Sequence, residues 1–184
     1  MTKAAKDGDR ALTGVPVPMV LRLDELDGYV GKVLGHSAWR EITQADVDTF
    51  ARLTGDEQYI HTDPALAAQG PFGVTIAHGF MTLSWFTGML WEIAVVEGAE
   101  TILNYGLNRV RFPAPAPVGG LIRLKLSIDE VKQVDRGIQV VYGAVFELAA
   151  APKPVCVAEV VFRYYPPVVT ELPREQLPSE FDTG

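Results

Sequence analysis

The stretch His78-Gly79-Phe80-Met81-Thr82-Leu83-Ser84-Trp85-Phe86-Thr87-Gly88-Met89-Leu90-Trp91-Glu92-Ile93-Ala94-Val95-Val96 decides the fold. From Phe80 to about Val96 it is apolar on nearly every helical face, which predicts a helix buried on all sides rather than one lying on a surface. Gly88 costs about 1 kcal/mol against alanine inside a helix, so a close packing contact is the expected reason for it. Thr82, Ser84, Thr87, Gly88 and Glu92 interrupt the run, which falls short of the roughly 20 clean residues of a membrane span. The cover for such a helix must come from the rest of the chain.

The residues after it supply a sheet. Ile102 to Phe112 reads as a strand that stops at Pro113-Ala114-Pro115-Ala116-Pro117, because proline can neither donate to a ladder nor continue a helix. From Leu121 the pattern alternates, with Ile122, Leu124, Leu126 and Ile128 on one face and Arg123, Lys125 and Ser127 on the other, the mark of a half-buried strand. Ile138 to Leu148 and Val155 to Tyr165 are two more, entered through Asp135-Arg136-Gly137 and Pro152-Lys153-Pro154. Connections this short favour antiparallel pairing.

Shorter elements precede the helix. Thr43, with Asp46 three residues on, can cap a helix whose inner face is Val47, Phe50, Ala51 and Thr54, and Gly55 can end it in the left-handed conformation. Asp63-Pro64 opens a second short helix that Gly70-Pro71 closes, His61 falls in the loop between the two, and Val74 to Ala77 is a brief strand candidate. The expected architecture is α+β: five or six mostly antiparallel strands curved around one long apolar helix. Residues 1–22 read as a flexible tail, 23–165 as one domain and 166–184 as a proline-rich acidic tail. A sheet with two open edges makes a symmetric homodimer the expected assembly.

Composition narrows the function. The 184 residues suffice for one core, and 48% hydrophobic against 21% charged residues excludes disorder of the bulk. A net charge of −7 without a basic run argues against nucleic acid or an anionic membrane as partner. Cys156 is the one cysteine, which rules out an internal disulfide framework and suits a reducing compartment. No export signal is read in residues 1–22, so a cytoplasmic location is expected.

Three histidines leave few places for imidazole chemistry. Asp56 and His61 lie five apart across a short bend, near enough to hold one water, and a carboxylate with an imidazole is the simplest acid–base pair at neutral pH. On spacing alone, a turn-capping aspartate and a structural loop histidine explain them as well. Farther on, Ile76-Ala77-His78-Gly79-Phe80-Met81 opens the long helix. The Gly79 amide there could hold a developing negative charge, or the segment could be a mere turn.

Taken together, Gly-Asp56-x-x-x-x-His61-x-Asp63-Pro64, Ala67-Ala68, Phe72-Gly73 and Ile76-Ala77-His78-Gly79 resemble the signature of the MaoC-like, or type 2, (R)-specific enoyl-CoA hydratases. The nodulation-protein-N-like branch is more similar still, through Asn104 to Pro115 and Cys156-Val157-Ala158-Glu159, over roughly Gly28 to Tyr165. The resemblance implies a hotdog fold, a homodimer, and reversible syn addition of water to a trans-2-enoyl-CoA. Asp56 and His61 would be catalytic and the Gly79 amide the oxyanion donor, with His78 and Thr87 as supporting residues. Arg109, Arg111, Tyr59 and Phe80 are the candidate substrate contacts, the arginines toward the coenzyme A phosphates or pantetheine. Asn108-Arg109-Val110-Arg111, followed by Arg123 and Lys125, is the densest basic face, with ion pairing on a strand as the competing explanation. No metal and no cofactor apart from the substrate's own coenzyme A are expected. Gln58-Tyr59 departs from the Asn-Pro of many relatives, so a catalytically silent acyl-thioester-binding protein and an acyl-CoA thioesterase stay open as alternatives.

Overall fold

In the computed structural model, which describes residues 17–167, the chain runs through strand β1 (Met19–Arg22), a 3-10 helix (Leu23–Tyr29), β2 (Val33–His36), β3 (Arg40–Glu41), helices α1 (Gln44–Thr54), α2 (Tyr59–Thr62), α3 (Pro64–Ala67), α4 (Gly79–Ser84) and α5 (Phe86–Ile93), then β4 (Ala94–Glu97), β5 (Thr101–Arg111), β6 (Leu121–Val134), β7 (Gly137–Leu148) and β8 (Cys156–Tyr165). The main sheet has the order β2-β6-β7-β8-β5, with β3 also on β6, and every pairing in it is antiparallel. The alternation from Leu121 works as its period requires: Ile122, Leu124, Leu126 and Ile128 are buried. Register places Leu124 opposite Phe146, and Ala144 opposite Ala158, so β7 and β8 extend the same apolar face.

Helix α5 lays Phe86, Met89, Leu90 and Ile93 onto that face. The Phe86 ring meets Tyr142 at 6.0 Å and Phe162 at 5.5 Å between centroids. The hydroxyls of Tyr142 and Tyr164 pair at 2.6 Å inside the core, so neither polar tip is stranded. Burial pushes the Tyr164 hydroxyl up to about 12. The α+β fold with a sheet around a helix is therefore present.

The helix itself corrects two expectations. It breaks at Trp85 and ends at Ile93, and Ala94–Glu97 becomes β4, which pairs in parallel with β1. It is also not buried on all sides: Phe80 is 70% and Trp91 53% exposed, and a Cβ at Gly88 would meet nothing within 4 Å. The sheet of one chain wraps only one side of the helix, and the close contact expected at Gly88 is absent from a single chain. Val74–Ala77 forms no strand; Ile76 makes one isolated bridge to Pro117. Residues 19–22, assigned to a tail, are strand β1, whereas the rest of both expected tails, 1–16 and 168–184, lies outside the described residues. No helix of the described residues is long and apolar enough to cross a membrane.

Helix α1 starts and stops on the expected residues, and α3 starts where expected but ends at Ala67, ahead of Gly70-Pro71. Thr43 Oγ1 accepts from the Asp46 amide at 3.2 Å, and Gly55 ends α1 at φ 77°. Asp63 Oδ1 accepts from the Leu66 amide at 2.9 Å to cap α3, with Pro64 in the first turn.

Candidate active site

Gly55 turns the chain out of α1 and delivers Asp56 directly after it. The Asp56 carboxylate accepts a hydrogen bond from the Gln58 side-chain amide at 3.2 Å. Gln58, at φ −55°, caps α2 and Tyr59 takes its first position, a place where proline is welcome but not required. The bend that relatives build with Asn-Pro is thus made here without proline. His61 is not in a loop: it sits within α2, 6% exposed, facing inward.

Gln44 of α1 fixes that short turn. Its amide donates to the His61 carbonyl at 2.7 Å and its oxygen accepts from the Thr75 hydroxyl at 2.6 Å. The His61 ring is oriented separately, Nδ1 lying 2.7 Å from the Ile76 carbonyl. A carbonyl only accepts, so Nδ1 carries the hydrogen and the Nε2 lone pair is left for chemistry. Burial, reinforced by His78, lowers the His61 pKa against the opposing pull of the Ile76 bond and Asp56. The ring is accordingly neutral at pH 7.

His78 is the N-cap residue of α4. Its Nε2 donates to the Asp56 carbonyl at 2.9 Å, and its ring stacks on His61 with centroids 3.7 Å apart and planes 23° from parallel. Side-chain ligand atoms of Asp56, His61 and His78 all lie within 4.8 Å of one another. Two imidazoles and a carboxylate have the makings of a divalent-metal site. One nitrogen of each ring, however, is already engaged by a carbonyl, Nδ1 of His61 by Ile76 and Nε2 of His78 by Asp56.

Beside the cluster is a cavity of ≈ 350 Å³ whose walls include His61, Gly79, Thr82, Phe72, Phe112 and Val155. Gly79 occupies the first position of α4, where the helical ladder supplies no acceptor for its N–H. A Cβ on Gly79 would stand 3.0 Å from three atoms of the Phe112 ring, so the ring rests on the glycine. A larger hollow of ≈ 960 Å³, between the β6–β7 turn and Tyr165–Pro167, abuts the last described residue and brings no acid–base pair together.

The other expected site residues are elsewhere. Thr87 and Phe80 border a shallow groove of ≈ 200 Å³ against Asn104 and Leu107 of β5, not the His61 cavity. Tyr59 is exposed and lies against Gly70. Arg109 is 3.8 Å from Glu159 across the β5–β8 pair, while Arg111 donates to the Val110 carbonyl. Arg123 is three strands away, bonded to Glu147 at 2.7 Å and stacked on Trp39, so the expected basic face is divided across the sheet. Sequence reasoning missed Gln44, Thr82 and Val155 as parts of the site. For Phe112 a signal existed, since it ends the Asn104 to Pro115 motif.

Comparison with known proteins fits this arrangement. The sequence model described as the MaoC like domain matches residues 26–148. The chain belongs to that family. This MaoC-like chain is 45% identical over 141 residues to 3-hydroxyacyl-thioester dehydratase Z of Mycobacterium tuberculosis, covering 76% of the chain and 93% of that relative. It is 41% identical over 112 residues to nodulation protein N of Rhizobium leguminosarum, covering 60% and 70%. The solved (R)-hydratase from A. caviae involved in PHA biosynthesis shares the fold, with a TM-score of 0.61 over 75% of this chain and 96% of that one at 22% identity. The hotdog arrangement implied by the motifs is the MaoC-like one found here, and the MaoC-like chain is an enzyme of the hydro-lyase class.

Proposed function

We propose that this enzyme adds water reversibly to a trans-2-enoyl-CoA, giving the (R)-3-hydroxyacyl-CoA, with Asp56 and His61 as its acid–base pair. The observation that carries the reading is the His61 ring: Nδ1–H is committed to Ile76, Nε2 is bare, and the ring shares a cavity with the Gly79 amide. Held between Asp56 and His61, a water gives up a proton as its oxygen bonds to the β-carbon. The thioester carbonyl takes the electrons as an enolate and the α-carbon then receives a proton on the same face. The Gly79 N–H is the donor for that enolate oxygen, an interaction worth about 10²–10³ in rate when preorganised. The (R) outcome follows the motif resemblance, and nothing in this chemistry calls for a metal or a cofactor beyond the coenzyme A of the substrate. Arg111, exposed at the end of β5, is the cation proposed for the coenzyme A phosphates.

The assembly that fits is a homodimer. β5 pairs with β8 on one edge only, Leu107 shares an open groove with Phe80, and Ile102, Leu107, Phe80 and Trp91 are all exposed.

Crotonyl-CoA tests the reading: loss of the conjugated enoyl absorbance without thiol release is expected. Asp56→Asn and His61→Ala should each lower kcat by about 10²–10⁴. Thiol release would make the protein a thioesterase, and wild-type rates in both variants would remove the pair from the mechanism.

A further inference from the structure

We propose that His78 is the positioning residue of this site, a single imidazole that locks Asp56 and His61 into register and ties both to the start of α4. The inference rests on the hydratase reading above and adds to it a residue that reaches the reaction only through others: His78 spends Nε2 on the Asp56 carbonyl and buries Nδ1, whereas His61 keeps Nε2 free and lines the cavity with Gly79.

Asp56 needs an external tie. It follows the left-handed Gly55 and precedes α2, so no helical ladder claims its carbonyl. That carbonyl accepts instead from His78 Nε2, from 22 residues farther along the chain. The donor must be the Nε2–H tautomer, because a carbonyl has no hydrogen to give. Nδ1 is then a bare acceptor, and it is buried without a hydrogen-bond partner. Buried polar atoms are rarely left so. The arrangement therefore favours the Asp56 bond at the expense of the ring's other nitrogen.

The ring is also clamped by its faces. His61 stacks on it at 3.7 Å, and the Phe50 ring of α1 packs beside it at 5.1 Å with a tilt of 48°. His78 is 3% exposed, and the next peptide presents Gly79. Displacing this one imidazole would thus move the carboxylate, the base and the oxyanion amide relative to one another. Misplacement of about 1 Å can cost on the order of 10²-fold in rate.

Donor and stack can be separated by substitution. His78→Phe keeps an aromatic ring against His61 but loses the donor; His78→Gln places an amide N–H near the position of Nε2 but loses the ring. With crotonyl-CoA, His78→Phe should lower kcat by about 10²-fold with KM changed by no more than about threefold, and His78→Gln should recover kcat to within about tenfold of wild type. Imidazole ¹⁵N shifts of the wild-type protein give a readout independent of turnover and of any variant's folding. They should show His78 with its hydrogen on Nε2 and His61 with its hydrogen on Nδ1. Three results would overturn the proposal: a His78→Phe enzyme with at least about half the wild-type kcat, a His78→Gln enzyme no better than the Phe variant, or His78 as the Nδ1–H tautomer. Wild-type protein that leaves crotonyl-CoA untouched while showing both expected tautomers would sink the hydratase reading and keep the placement of His78.

Discussion

At Gly79 the backbone amide and the missing side chain have separate consequences. The Phe112 ring rests where a Cβ would go, at 3.0 Å, but it is 41% exposed and free to tilt outward. Alanine at this helical position recovers up to about 1 kcal/mol of propensity, which offsets a comparable cost of moving the ring. Gly79→Ala should therefore melt within about 3 °C of wild type. Activity should not be spared, because Phe112 is a wall of the His61 cavity. A loss of at least about tenfold in kcat/KM for crotonyl-CoA is expected, from a reacting group displaced by a fraction of an ångström. Calorimetry beside steady-state kinetics separates the two effects, and an alanine variant with wild-type kcat/KM would show that the ring's seat on the glycine is immaterial. Cys156, by contrast, offers no rival nucleophile: it is fully buried on β8, and burial pushes its thiol up to about 12.

Among the elements, β5 carries the clearest unfinished contact. Its register on β8 sets Ile102, Asn104, Leu107 and Val110 on the helix side of the sheet, yet Leu107 is still 45% exposed. Eleven residues of strand with an open edge and an apolar face invite association, and a symmetric second copy closes both at once. Leu107→Asp should convert a dimer into a monomer in light-scattering chromatography at micromolar concentration, while a monomeric wild type would remove the homodimer from the proposal. The same face explains which elements were legible in the sequence. Strands β6, β7 and β8 and helix α1 announce themselves by period and caps, since their neighbours lie in the same chain. The run from Phe80 to about Val96 reads as one helix buried all round because composition cannot distinguish a face covered by its own sheet from one left bare, as Phe80 and Trp91 are. β1 and β4, four residues each and paired across more than 70 positions, are too short to show a period. In the site, Asp56, His61 and Gly79 were legible through local spacing and motif. The bonds from Gln44 to His61 and from His78 to Asp56 span 17 and 22 residues and leave no local pattern.

For the molecule as a whole, acidity should act on stability and activity through the same ring. Burial lowers the His61 pKa, and His36, on β2 beside Arg123 and Glu147, is lowered chiefly by burial and then by Arg123. The unfolded reference for both is about 6.5. Between that value and the lower folded one, the unfolded chain binds more protons than the native one, so stability rises with pH across the window. The contribution is complete above about pH 6.5 and is lost as pH falls through the folded values. His36 is the more exposed of the two and is screened by solvent, so His61 carries the larger share. Urea unfolding at about pH 5.5, 6.5 and 7.5 should show falling midpoints on acidification, with a shallower dependence in His61→Asn than in His36→Asn. Protonating His61 also fills the Nε2 lone pair proposed for the water, so the acid limb of kcat/KM should lie below about pH 6.5 and vanish from the residual rate of His61→Asn. A slope unchanged in His61→Asn would place the proton uptake on some other group, a flat wild-type midpoint would mean that unfolding takes up no net protons, and either would separate the stability of the fold from the chemistry of its site.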